Sequence, residues 1–384
     1  MTDGNTHFTR RNVLKQTSGA LALVGAGGLA SADPEDTVEV NVGVTGDAGR
    51  RAARQSASAV VREFAFDALT VRLSAKAAQA LENRADVRYV EVNGEYQALG
   101  QTTPWGIDRV DAEVAHTNGE TGAGSDLAII DTGIDSDHPD LQANLGKGKA
   151  FVKCKGGPKD CAQSWDDDND HGTHCAGTAD AVDNSEGVVG VSTEATLHAV
   201  KVLDKRGSGS YSDIAAGVEW VADQGYDVGS MSLGGSSSSA TLRDACQYAY
   251  DKGVLLVGAA GNDGPCSDCV GYPAAYDTVV AVSATSADDS LANFSSTGPQ
   301  VEIAAPGEDV YSTIPDGYDT FSGTSMACPH VAGAGAQLMA NGATNTEARQ
   351  QLKDTAEDIG LATNEQGAGL LDAAAALGLD SSDN

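Results

Sequence analysis

The sequence predicts an α/β protein in which a parallel sheet is covered by helices on both faces and preceded by a small α+β unit. Three observations lead there. From about residue 105 onward, short apolar runs alternate with helical patterns, which is the order that buries a parallel sheet between two helical layers. Of the 384 residues, 41% are hydrophobic but only 5% aromatic, and 46 are glycine, a composition suited to close-packed strands and helices joined by tight turns. The charge also breaks near residue 100. Residues 1–100 carry 11 Lys+Arg against 12 Asp+Glu, whereas residues 101–384 carry 13 against 43. Of the net charge of −31, all but one unit thus belongs to the second part.

Element by element, the N-terminus reads THFTRRNVLKQTSGALALVGAGGLASADP. Arg10-Arg11, a weakly apolar Gly/Ala/Leu stretch and Ala30-Ser31-Ala32 have the form of a twin-arginine export signal with a small-x-small cleavage site, predicted over residues 1–32. No run of 18 or more apolar residues follows, so no stable membrane association is expected after export. TVEVNVGVT alternates as a strand, DAGRRAARQSASAVV has a helical pattern and LTVRLS is a second strand. SAKAAQALENR is a further helix and VRYVEVN a third strand. This unit, 33–100, is nearly neutral and is expected to be ferredoxin-like; the loop QALGQTTP after it is a place where the chain can be cut.

In the acidic part, SDLAIID, ATLHAVKVL, DVGSMSL, VLLVGAAGN and VVAVSAT are strands. HGTHCAGTADAV, YSDIAAGVEWVADQG, SATLRDACQYAYDKG and GTSMACPHVAGAGAQLMA are helices. Pro329 is expected in the first turn of the last helix, where a missing N–H costs nothing. A polyanion would be repelled by so acidic a surface, which excludes nucleic acid as a partner. The apolar stretches 127–130 and 254–257 speak for a packed core rather than disorder. The acidity is that of a solvated surface of the kind used at high salt, where ions screen the self-repulsion.

Seven cysteines form an odd set, so at least one thiol is unpaired or pairs between chains. Cys154 and Cys161, and Cys266 and Cys269 in C-x-x-C spacing, allow local disulfides, but connectivity stays open. Cys175 and Cys328 lie in small-residue helix patterns and are expected as buried thiols.

Four residues at element ends carry the chemistry. Asp131 closes a strand before Thr-Gly, His171 opens a helix, Asn262 follows a strand, and Ser325 starts the last main helix. In such sheets, reactive groups collect at the carboxyl ends of strands. Ser325 suits a nucleophile, His171 its base and Asp131 the group that orients the imidazole. The Asn262 amide and the Ser325 N–H suit an oxyanion. The single Asp-Thr-Gly excludes a paired-carboxylate protease. His171-Gly-Thr-His174 lacks the glutamate and spacing of a zinc H-E-x-x-H, and Ser325 lacks the G-x-S-x-G frame of α/β-hydrolase esterases. The run Asp166-Asp167-Asp168-Asn169-Asp170 lacks the EF-hand glycine and glutamate and is expected as a solvated loop.

The segments AIIDTGIDSDHPDL, HGTHCAGTAD, GAAGN and GTSMACPHVAG, in that order, resemble the subtilisin-type serine peptidases from about residue 104 to 371. The acidity and the HGTHCAGTAD form resemble the halolysin-like members, although the C-terminal extension typical of those is not matched. The resemblance implies a subtilisin-like catalytic domain over 101–384, protein or peptide substrates and a monomer. It implies that 33–100 is a propeptide that inhibits in cis until self-cleavage between Gln97 and Thr102. It also implies substrate contacts from Gly207, Ser208 and Gly209 on one side and Ser232, Leu233 and Gly234 on the other, with Gly271 at the pocket base. It implies a structural Ca2+ held by Gln101, Asp140, Val182, Asn184, Glu186 and Val188, several through carbonyls, and no organic cofactor.

Overall fold

The computed structural model describes residues 37–93, 100–155 and 161–381. The expected export signal and residues 97–99 of the expected cleavage window lie outside the described residues. The chain forms two units that part after Ala98.

The first unit runs β1 (Thr37–Val44), α1 (Asp47–Ser56), β2 (Ala59–Phe64), β3 (Ala68–Ser74), α2 (Ala75–Glu82) and β4 (Val87–Val92). The sheet order is β2-β3-β1-β4 with every pairing antiparallel, the split βαββαβ arrangement expected for a ferredoxin-like unit. Val40, Val42, Leu69, Val71 and Leu73 line the sheet's inner face, against Ala53, Ala78 and Leu81 from the helices. One element differs from the sequence reading. The helix predicted to run through Val61 ends at Ser56, and 59–64 forms an edge strand on β3. Its residues Ala59–Glu63 are all exposed, so β2 shows no buried-face alternation from which to read it.

In the second unit the strands are β5 (Asp126–Asp131), β6 (Lys149–Ala150), β7 (Thr196–Lys201), β8 (Val228–Met231), β9 (Leu255–Ala259), β10 (Val279–Thr285) and β11 (Val301–Pro306). They form one sheet of order β11-β10-β9-β8-β5-β7-β6, parallel at every pairing. β12 (Val310–Ile314) and β13 (Gly317–Phe321) make a separate antiparallel hairpin. The main helices are α3 (His171–Asp180), α4 (Tyr211–Gln224), α5 (Ala240–Asp251), α6 (Thr324–Ala340) and α7 (Asn345–Asp354). The alternation of β5 shows the layering. Leu127 and Ile129 join a core with α3 and α6, while Ala128 and Ile130 join another with α4 and α5. From β5 the sheet grows one way through β7 and the other way through β8, so a topological switch point lies between β5 and β8. The crevice at the carboxyl ends of those strands is where such folds bind ligands.

Small residues let α3 and α6 approach closely. A Cβ on Gly333 of α6 would sit 2.6 Å from the Ala179 carbonyl of α3. The first turns of these two helices carry His171 and Ser325, so the close packing sets their separation. Pro329 is the sixth residue of α6, a turn later than the sequence reading placed it. The N–H it lacks is the one that would have bonded the Ser325 carbonyl, four residues back. That carbonyl accepts instead from Ser232 Oγ at 2.7 Å and Cys175 Sγ at 3.4 Å.

Candidate active site

Asp131 ends β5 with no exposed surface. Its Oδ1 accepts the Thr132 N–H at 2.7 Å and meets His171 Nδ1 at 2.8 Å. A carboxylate opposite Nδ1 fixes the proton there and leaves Nε2 as the free acceptor. The ring is 27% exposed, so that acceptor can be reached. Burial works against the imidazolium, but the Asp131 carboxylate outweighs it and raises the His171 pKa well above 6.5.

Ser325 is the second residue of α6, where backbone N–H groups lack helical partners. Its hydroxyl donates to the Ser232 carbonyl at 3.3 Å and not to His171. The two are nonetheless neighbours, since Cys175 Sγ lies 3.4 Å from the Ser325 carbonyl oxygen and 4.0 Å from His171 Nδ1. Asn262, exposed after β9, has its Oδ1 fixed by the Thr324 N–H at 2.9 Å and Thr324 Oγ1 at 3.0 Å. Those two donors define which end of the amide is oxygen and leave Nδ2 as an oriented donor. A Cβ on Gly323 would come within 3.3 Å of Nδ2, so glycine keeps the space clear.

The segments expected to flank a substrate, Gly207-Ser208-Gly209 and Leu233-Gly234, lie at the surface, with Ser232 buried at the inner end of the second. Gly235 and Tyr272 exchange backbone bonds of 3.0 and 2.8 Å, and Gly271 N–H bonds the Ala260 carbonyl at 2.8 Å, so the second segment, Gly271 and the strand before Asn262 are tied together.

The acidic run is not the solvated loop expected: Asp166 and Asp167 are buried and Asp168 nearly so. Asp167 accepts from Thr132 Oγ1 at 2.8 Å and from Thr173 N–H and Oγ1 at 2.9 and 2.7 Å, joining the end of β5 to the start of α3. Asp168 pairs with the fully buried Lys201 at 2.6 Å. Thr132 and Lys201 lie 35 and 33 positions from their carboxylates, and nothing local announces them. His174 is a packed histidine. Its Nε2 meets the Val310 carbonyl at 3.0 Å, its ring stacks on Phe321, and burial lowers its pKa to about 4. Cys154–Cys161 and Cys266–Cys269 are disulfides, while Cys175, Cys246 and Cys328 are buried thiols.

The residues expected to hold calcium also converge. The Gln101 amide nitrogen lies 2.7 Å from the Val182 carbonyl and 3.0 Å from that of Val188. The Asp140 carboxylate bonds Val188 N–H at 2.8 Å and Asn184 Nδ2 at 3.1 Å. Glu186 enters through its N–H, which donates to Asn184 Oδ1 at 2.7 Å. Gly187, at φ +67°, leaves room that a Cβ would fill, 2.0 Å from Asp140 Oδ2. The Asp140 carboxylate with the Val182 and Val188 carbonyls fits a hard cation, and Gln101 and Asn184 would add amide oxygens on giving up the bonds those oxygens accept from the Asn184 and Glu186 N–H groups.

A crevice at a switch point, with a carboxylate-backed imidazole beside a helix-mouth hydroxyl, belongs to hydrolytic enzymes that work through serine. Comparison narrows the class, for the model of the subtilase family matches residues 122–370, and the chain belongs to that family. It is 46% identical over 311 residues to an alkaline protease of Alkalihalobacillus alcalophilus, covering 80% of this chain and 78% of that protein. It is 43% identical over 321 residues to alkaline elastase YaB of Bacillus sp. (strain YaB), covering 83% and 81%. It is 42% identical over 307 residues to subtilisin amylosacchariticus of Bacillus subtilis subsp. amylosacchariticus, covering 78% of each. The protein is a serine endopeptidase of the subtilisin type that acts on protein substrates.

Proposed function

We propose that Ser325, His171, Asp131 and Asn262 carry out the hydrolysis. The observation that supports this reading is the 2.8 Å bond between His171 and the buried Asp131 at the carboxyl end of β5. The Ser325 hydroxyl turns from the Ser232 carbonyl toward His171 and attacks the scissile carbonyl carbon as its proton passes to Nε2. Asn262 Nδ2 and the Ser325 N–H stabilise the oxyanion. The imidazolium then gives its proton to the departing amine, leaving an acyl-enzyme, and water activated by the same imidazole completes hydrolysis. An extended peptide adds as a strand between 207–209 and 232–234, with Gly271 at the base of the pocket.

The finer reading is a secreted, monomeric enzyme made as a precursor. Residues 1–32 direct twin-arginine export, 33–100 fold as an intramolecular inhibitor, and 101–384 are the catalytic domain, freed by self-cleavage. A calcium ion bound by Gln101, Asp140, Val182, Asn184 and Val188 would brace the start of that domain structurally. Glu186 belongs to the same set, its loop entering mainly through backbone carbonyls. The acidic surface of 101–384 is an adaptation to high salt. Ser325→Ala made in a host free of other proteases is expected to accumulate uncut. Mature-length protein from that variant would overturn self-processing.

A further inference from the structure

Lys201 has no exposed side-chain surface and is the last residue of β7, paired in register with Asp131 of β5. Its ammonium donates to the Thr132 carbonyl and, at 2.6 Å, to Asp168 Oδ1. Asp168 is held in turn, its Oδ2 accepting the Lys155 N–H at 2.6 Å. Thr132 is therefore gripped at three atoms. Its N–H bonds Asp131 Oδ1 at 2.7 Å, its hydroxyl links Asp167 and Gly172 N–H at 2.8 Å each, and its carbonyl meets Lys201.

We propose that Lys201 and Asp168 are positioning residues: a buried ion pair that fixes the Thr132 carbonyl and so keeps the Asp131 carboxylate in register with His171. The chain needs such a clamp at this point, because Gly133 follows at φ +117° and the strand turns away. A buried ion pair adds little to stability over an apolar pair of the same shape, so its worth lies in geometry. Geometry matters here, since a shift of about 1 Å in a catalytic group can cost about 100-fold in rate. The pair is neutral as a whole, so removing both members changes the support for Asp131 without leaving a new charge beside it.

The test is the double variant Lys201→Met/Asp168→Asn, with kcat normalised to the active sites titrated by a serine-directed phosphonate. The expected result is a kcat lower by tenfold or more with KM within twofold. The far-downfield proton resonance of the Asp131–His171 hydrogen bond should broaden or move upfield. A double variant with the parental kcat and resonance overturns the proposal, as does a loss that vanishes on normalisation. Should that variant give no folded protein, Lys201→Gln/Asp168→Asn, which likewise leaves no charge, is read by the same two criteria. The inference rests on the role given to Asp131, and Asp131→Asn in the same assay separates the two failures. Full kcat in Asp131→Asn would sink that role, whereas loss there with none in the pair variants sinks only the clamp.

Discussion

Thr324 is the residue whose replacement best separates orientation of the oxyanion donor from mere packing. Its side chain is buried, and Oγ1 does two things at once. It donates to Asn262 Oδ1 at 3.0 Å and accepts the Gly261 N–H at 3.0 Å. Thr324→Val keeps the shape and deletes both bonds. Asn262 would then be fixed by the Thr324 N–H alone. Losing one neutral hydrogen bond of about 1 kcal/mol from the group that meets the oxyanion lowers kcat about fivefold. KM should not change, because the oxyanion exists only on the way to the intermediate. The orphaned Gly261 N–H adds a stability cost of about 1–3 kcal/mol, seen as a fall of several degrees in Tm. Steady-state kinetics on a chromogenic peptide and a thermal scan of the same samples measure both, with Thr324→Ser as the variant that keeps the hydroxyl. A lower Tm with parental kcat would show that the hydroxyl only packs, and a raised KM at constant kcat would show a contact made equally in the ground state.

The remaining predictions concern pH, calcium and salt. Since the base must be neutral and Asp131 raises the His171 pKa, kcat/KM should be lost as pH falls through a midpoint above 6.5; Asp131→Asn should move that limb downward, because burial then meets less opposition once the carboxylate that most raises the pKa is gone. A parental midpoint below 6.5 would contradict the assignment. A calcium chelator should lower the Tm of the mature enzyme by several degrees, and Asp140→Asn should have the lowered Tm without chelator; a Tm indifferent to chelator would remove the cation. With 13 basic against 43 acidic residues in 101–384, activity should fall on dialysis into dilute buffer and return with salt. Full activity in dilute buffer would refute the salt adaptation and leave the catalytic reading untouched.

Much of the second unit was legible because its signals are local. β5, β7, β8, β9 and β10 are apolar runs bounded by polar turns, and Asp131, His171, Asn262 and Ser325 stand at element ends that the chain order itself places on one sheet edge. The β12–β13 hairpin carried a signal that could have found it, since Pro315-Asp316-Gly317 between Tyr/Thr-rich runs is a turn with a mechanism. β2 had no such signal: with Ala59–Glu63 exposed, it shows no alternation of buried and exposed positions. The acidic run failed for a different reason. Whether Asp168 is solvated or buried depends on Lys201, 33 positions away, and a run of carboxylates reads alike in both cases. The Ser325 side-chain orientation, toward the Ser232 carbonyl, is a rotamer choice that no pattern of residues encodes.

The central claim is that one hydroxyl, that of Ser325, performs the chemistry. Mature enzyme treated with a serine-directed phosphonate and mapped by peptide mass spectrometry tests it directly. One adduct per molecule on the peptide containing Ser325, with hydrolysis of a denatured protein abolished in proportion, is the predicted result. An adduct elsewhere, or full labelling at Ser325 with proteolysis intact, would contradict it.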